Sequence, residues 1–101
     1  MSEEKRAYSW QQFVDSGFDG REYKFLDEAG TFTATLACKR WNRHRNLIAY
    51  LDFDDGRKIL TSAWQREQYH GLPELPIGSR VRVIFKESAG GTVYLRGVEK
   101  I

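Results

Sequence analysis

The sequence predicts a small, mainly β domain, and three observations carry that reading. From Thr31 onward apolar and polar residues alternate with a period of two, the pattern of half-buried strands. The alternating segments are punctuated by compact turn signals, Asp54-Asp55-Gly56 and Ser88-Ala89-Gly90-Gly91. Aromatic residues make up 14% of the 101 residues, ample material for one core at a common domain size.

The elements follow in order. The first eight residues read as a frayed tail. Ser9-Trp10-Gln11-Gln12 is a capping box, in which a Ser side chain and a Gln three residues on satisfy each other's backbone donors. A short helix is therefore expected over 9–16, with Trp10, Phe13 and Val14 on one face and Gly17 as its stop. Tyr23 to Leu26 is ambiguous and can form an extra strand. Phe32, Ala34, Leu36 and Cys38 then alternate with Thr31, Thr33, Thr35 and Lys39 in the first long strand.

Leu47–Phe53 and Arg57–Trp64 are the next two strands, joined as a hairpin at Asp54-Asp55-Gly56. A one-residue slip there would exchange the faces. A two-residue turn would set Lys58, Ser62 and Trp64 beside Leu47, Leu51 and Phe53. A three-residue turn, with Gly56 as the left-handed bulge residue, groups Leu47, Ala49, Leu51 and Phe53 with Ile59, Thr61 and Ala63. The second set is the cleaner core and is preferred. It sends Tyr50, Lys58 and Trp64 outward.

One or two helical turns are expected over Gln65–Gly71, then an extended approach between Pro73 and Pro76. Ser79–Lys86 and Thr92–Glu99 are the closing pair of strands. Leu36, Leu51, Val83 and Leu95 should share one core.

This β-β-β-α-β-β order resembles the OB-fold, a small five-stranded Greek-key barrel. The resemblance rests on Asp54-Asp55-Gly56-Arg57, on Leu75-Pro76-Ile77-Gly78, and on the closing pair Arg80–Phe85 and Thr92–Val98. It covers residues 31–101, with 1–30 as a tail, short helix and extra strand packed on the barrel, in a single domain overall. An SH3-like barrel is the competing topology.

Charge is unevenly placed. Residues 1–38 carry −3 and residues 39–101 carry +5, although the whole chain is only +2. No apolar run approaches the ~20 residues of a membrane span, and the polar start Met1-Ser2-Glu3-Glu4-Lys5-Arg6 is not a secretory signal. Cys38 is the only cysteine, which rules out an internal disulfide and a multi-Cys zinc site. A reduced, cytoplasmic setting is the expectation.

The densest chemical feature is Lys39-Arg40-Trp41-Asn42-Arg43-His44-Arg45, with four cations, a His and a Trp in seven residues. Lys and Arg neutralise phosphates, and Trp and Tyr offer flat faces to bases. In proteins resembling the OB-fold, the loop after the first strand and the faces of the next two contact oligonucleotides or oligosaccharides. The candidate nucleic-acid-binding residues are therefore Lys39, Arg40, Trp41, Arg43, His44 and Arg45, with Tyr50, Lys58 and Trp64 on the outer face of the hairpin. The N-terminal helix can equally cover that face, and the two arrangements remain open at this point.

Catalytic and metal readings fare worse. Asp52, Asp54 and Asp55 lack the Gly and Glu positions of a calcium loop. Glu67-Gln68-Tyr69-His70 has a di-iron spacing but occurs once. His44 and His70 share no ligand spacing, Gly90-Gly91 lacks the Lys of a phosphate loop, and Cys38 alternates with core residues. No convergent nucleophile, base and oxyanion site is visible. The expectation is a binding module without a cofactor, not an enzyme and not a membrane protein. Its expected partner is single-stranded DNA or RNA. The alternative is an accessory domain docking another protein subunit, with a carbohydrate binder a weaker third.

Overall fold

The computed structural model describes residues 8–42, 46–63 and 75–101. Trp64, the helical turns expected over 65–71, and the residues Arg43, His44 and Arg45 lie outside these.

The chain opens with helix α1, Trp10–Asp15, which forms where its cap predicts. The Gln12 amide donates to Ser9 Oγ at 3.2 Å, and the Ser9 amide donates to Gln12 Oε1 at 2.9 Å. Strands β1 (Lys24–Phe25), β2 (Gly30–Trp41), β3 (Leu47–Phe53), β4 (Lys58–Ala63), β5 (Arg80–Glu87) and β6 (Val93–Lys100) build one mixed sheet in the order β1-β4-β3-β2-β5-β6. Strands β2, β3 and β4 form a meander, and β5 returns to lie beside β2, so four strands adopt the Greek-key order β5-β2-β3-β4.

The expected closed barrel is corrected to an open six-stranded sheet, and β1 is the physical reason. Lys24 and Phe25 pair in parallel with Ile59 and Leu60, taking the edge of β4 that closure onto β6 would require. Leu26 then turns inward and is buried in the main core. Strands β1 and β6 remain the two edges of the sheet.

The hairpin has the bulged-turn register. Leu51 pairs with Ile59, Ala49 with Thr61 and Leu47 with Ala63. Gly56 sits at φ +96°, a left-handed conformation that favours glycine, and the Phe53 amide donates to Arg57 O at 2.9 Å. The inner face of the sheet carries Leu36, Leu51, Val83 and Leu95 in one cluster, as expected, with Ala34, Leu47, Phe53, Ile59, Val81 and Phe85 around them.

One irregularity redistributes the candidate residues. The partners of β2 on β3 run from Leu36↔Leu51 to Cys38↔Tyr50, leaving Ala37 as an extra residue. Such a bulge inverts the alternation beyond it. Phe32, Ala34 and Leu36 face the main core, but Cys38 joins a second cluster with Tyr23, Ile48 and Tyr50. Lys39 and Trp41 consequently turn to the inner side, and Arg40 to the outer one. Strand β2 also runs to Trp41, so Arg40 and Trp41 are strand residues where a loop was expected.

The second cluster is a separate layer on the outer face of the sheet. Tyr8, Phe13, Phe18, Leu60 and Ile77 pack over it, which places α1 on the hairpin. Gly20 permits this approach: a Cβ there would stand 2.6 Å from the Tyr50 ring. Tyr8 belongs to the fold and not to a frayed tail. Its amide donates to Lys39 O at 2.9 Å, and its carbonyl accepts from the Trp41 amide at 2.8 Å.

The hairpin turn is fastened to β2 and β5 by Asp54. Its carboxylate accepts from both terminal nitrogens of Arg80, at 2.5 and 2.6 Å, and from Thr33 Oγ1 at 2.6 Å. These hydrogen bonds, those from Arg80 foremost, hold the carboxyl well below its usual pKa of 3.8. A depressed folded-state pKa contributes stability that is present above the unfolded value and lost as pH falls through the folded one. Asp54→Asn should therefore lower stability at neutral pH, and its deficit relative to wild type should shrink in acid below about pH 4. Thermal unfolding across that range checks this; two parallel stability curves would count against it.

Candidate nucleic-acid interface

The sequence candidates separate in space. Lys39 is fully buried and its Nζ donates to Leu75 O at 2.5 Å, so this cation is withdrawn from the surface. Tyr50 is only 5% exposed, because α1 covers it. Phe13 stacks on its ring at 5.5 Å between centroids, while Phe18 and Tyr23 meet it edge-on at 5.0 and 5.3 Å. The covered arrangement of the hairpin face is the one observed, and Tyr50 offers no platform to a ligand.

Lys58 does point outward, but into a local network. Its Nζ lies 3.8 Å from Asp52 Oδ1 and 5.1 Å from the centre of the Tyr23 ring. Tyr23 in turn donates its hydroxyl to Asp52 Oδ1 at 2.6 Å. Burial, and then this hydrogen bond, push the Tyr23 phenol above its ordinary value. The group holds β1 and its approach against the hairpin.

What the fold brings together is Arg40, Trp41 and a residue the sequence had assigned to packing, Trp10. The Arg40 guanidinium lies beside the α1 aromatics, 5.4 Å from the Trp10 ring centre and 5.1 Å from that of Phe13. Its Nε donates to the Tyr50 hydroxyl at 3.1 Å. Arg40 thus ties α1 to the sheet and carries positive charge to the edge of the aromatic column. Trp10 stacks on Phe13 at 5.8 Å yet keeps 61% of its surface exposed.

Between α1 and the end of β2 lies a cleft of about 560 Å³, lined by Ser9, Trp10, Trp41 and Asn42. Three causes converge on it. The capping box fixes Ser9 and Trp10, the Tyr8 bridge holds their approach against β2, and the bulge at Ala37 sets the side to which Trp41 turns. The Asn42 amide donates to Asn46 O at 3.0 Å and its Oδ1 accepts from the Asn46 amide at 2.9 Å. Those bonds tie Asn42 to Asn46.

Trp10 was missed because a two-turn helix with Trp10, Phe13 and Val14 on one face reads as wholly packed. One signal was available: six helical residues cannot bury three large side chains against one sheet face, and Phe13 takes the position. Three other arginines are committed elsewhere. Arg57 pairs with Glu28 and Asp55, Arg80 with Asp54, and Arg82 with Glu99. Cys38 is buried, and burial raises its thiol pKa, which makes it a poor nucleophile. Among the described residues, no three His, Cys, Asp or Glu side chains gather as a metal set, and no helix is long and apolar enough to cross a membrane.

Comparison of the chain with protein-family models, curated proteins and solved structures returns no match.

Proposed function

We propose that this protein is a non-catalytic, OB-like module that binds single-stranded nucleic acid at the Trp10–Trp41 cleft. The observation that carries the reading is that cleft: Trp10 and Trp41 are both among its lining residues, the Arg40 guanidinium lies 5.4 Å from the Trp10 ring centre, and Arg43 and Arg45 follow Asn42 in the sequence. Unpaired bases have flat faces that stack on such rings, and the adjoining phosphates are neutralised by Lys and Arg. The Greek-key order agrees with an OB-like arrangement opened at one seam, in which the segment after the first long strand is a contact loop. Lys39 and Tyr50 take no part in this site, and Trp10 enters it.

Trp10→Ala and Trp41→Ala should each weaken binding to a labelled single strand by about 1–3 kcal/mol while leaving its salt dependence nearly unchanged. Equilibrium titration of both variants tests this, and a variant that binds as tightly as wild type would remove that ring from the site. A protein partner is the second reading. It is favoured by Val14, which lies one turn beyond Trp10 and is 52% exposed, extending the apolar surface along α1. Unchanged failure to bind any single strand, together with capture of a subunit through Trp10 and Val14, would select it.

A further inference from the structure

We infer that the half of the sheet's outer face left bare by α1 is a second contact surface for a single strand, with phosphates on Lys86 and Arg96 and a base on Tyr94. This rests on the single-strand reading and adds to it a surface separate from the Trp10–Trp41 cleft.

The face is set by alternation. On β5, Val81, Val83 and Phe85 are buried in the main core, so Arg80, Arg82, Ile84 and Lys86 lie on the outer side. On β2 the same rule turns out Thr31, Thr33 and Thr35. On β6, Leu95 and Val98 belong to the inner side, and Tyr94 pairs with Lys86 on the outer one. A second bulge adds Arg96. Ile84 pairs with Gly97 and Phe85 with Leu95, which leaves Arg96 as an extra residue on the outer side beside Gly97. The aromatic layer beneath α1 draws no described residue from β5 or β6, so this part of the face is not covered as the hairpin is.

Charge divides the face in two. At one end each carboxylate already holds an arginine, Asp54 with Arg80 and Glu99 with Arg82. At the other end Lys86 and Arg96 are exposed, and neither is ion-paired among the described residues. Glu87, next in the chain, pairs with Val93 and so lies on the inner side. Two cations are thus left over with no carboxylate to neutralise them, which suits the phosphates of a strand. Tyr94 stands beside them, partly exposed. Among the described residues its hydroxyl makes no hydrogen bond and its ring meets no other ring. Its neighbourhood is open, since a Cβ at Gly97 would meet nothing within 4 Å beyond the chain neighbours. A flat ring over a bare strip of sheet can take a base. A bulge and a charge at Arg96 would also deter pairing at the sheet edge. Lys86 has no such duty, because β5 lies between β2 and β6.

Titration of a labelled single strand against the full chain at several salt concentrations tests the surface. Lys86→Ala with Arg96→Ala should lower the log–log salt slope by about 1.4, the equivalent of two phosphate contacts. Tyr94→Leu should weaken binding about 5- to 150-fold at a nearly unchanged slope, the equivalent of one stacked base. Tyr94→Phe keeps the ring and should bind as wild type does, which guards against a loss caused only by altered packing. Poly-L-glutamate at equal charge should displace the strand far less well than unlabelled strand does. If wild type binds and the Lys86/Arg96 variant keeps its slope, this surface is overturned and the cleft reading stands. If these variants lose binding while Trp10→Ala and Trp41→Ala do not, this surface stands and the cleft is removed. Equal displacement by poly-L-glutamate would overturn the base contact at Tyr94. If wild type binds no single strand, both readings fail together.

Discussion

Leu36→Ala, Leu51→Ala and Leu95→Ala should each remove about 2–5 kcal/mol of unfolding free energy. All three side chains are at most 1% exposed and belong to one cluster on the inner face of the sheet. Each truncation forfeits the transfer energy of the deleted carbons and leaves a cavity that a sheet fixed on both sides of the site cannot collapse into. Leu36 and Leu51 are direct partners across β2 and β3, so their losses should not simply add. Because total stability for a domain of this size is about 5–15 kcal/mol, any one of these changes takes a large part of it. Val14→Ala is the matched control. It lies half-exposed on α1 and should change stability by no more than about 0.5 kcal/mol. Urea unfolding with an unchanged slope would measure both. A loss below ~1 kcal/mol at Leu95 would contradict the packing of β6 onto the shared core.

The largest functional effect is expected from removing the charge that follows Asn42 in the sequence. Arg43→Ala with Arg45→Ala should weaken single-strand binding steeply at low salt and lower the log–log salt slope by about 1.4, since each lost phosphate contact on a single strand is worth roughly 0.7. Arg40 is left intact in this variant for a structural reason. It bonds the Tyr50 hydroxyl and lies on Trp10 and Phe13, so its removal would also loosen α1. The two kinds of change should be separable. Loss of arginine alters the slope, while loss of an indole lowers affinity at every salt concentration. An unaltered slope in the double variant would mean that these arginines touch no phosphate.

Much of the fold was legible because local chemistry forces it. Ser9 and Gln12 can cap only each other's turn, and Gly56 at a left-handed position fixes the hairpin register through Leu51 and Ile59. What stayed hidden depends on tertiary pairing. Ala37 and Cys38 are both small and apolar, so inserting a bulge between Leu36 and Cys38 leaves no mark on the hydropathy pattern. Yet that one residue carries Lys39 into the interior and Cys38 to the opposite layer. The open seam was equally silent, since β1 is two residues long and its effect is to occupy an edge of β4. At the candidate site, the basic segment was plain from composition, whereas the role of Tyr50 was decided by where α1 lands. Phe13 takes the Tyr50 face and leaves Trp10 outside, which moves the aromatic surface from the hairpin to the cleft beside Trp41.

The central proposal is that the Trp10–Trp41 cleft, together with Arg43 and Arg45, which follow Asn42 in the sequence, forms one single-strand binding site. Titration of a labelled single strand at two salt concentrations, with wild type, Trp41→Ala and the Arg43/Arg45 double variant in parallel, tests it most directly. The expected result is saturable wild-type binding that weakens with salt, a uniform loss for Trp41→Ala, and a flatter salt dependence for the double variant. Absence of wild-type binding to both DNA and RNA single strands at low salt would contradict it.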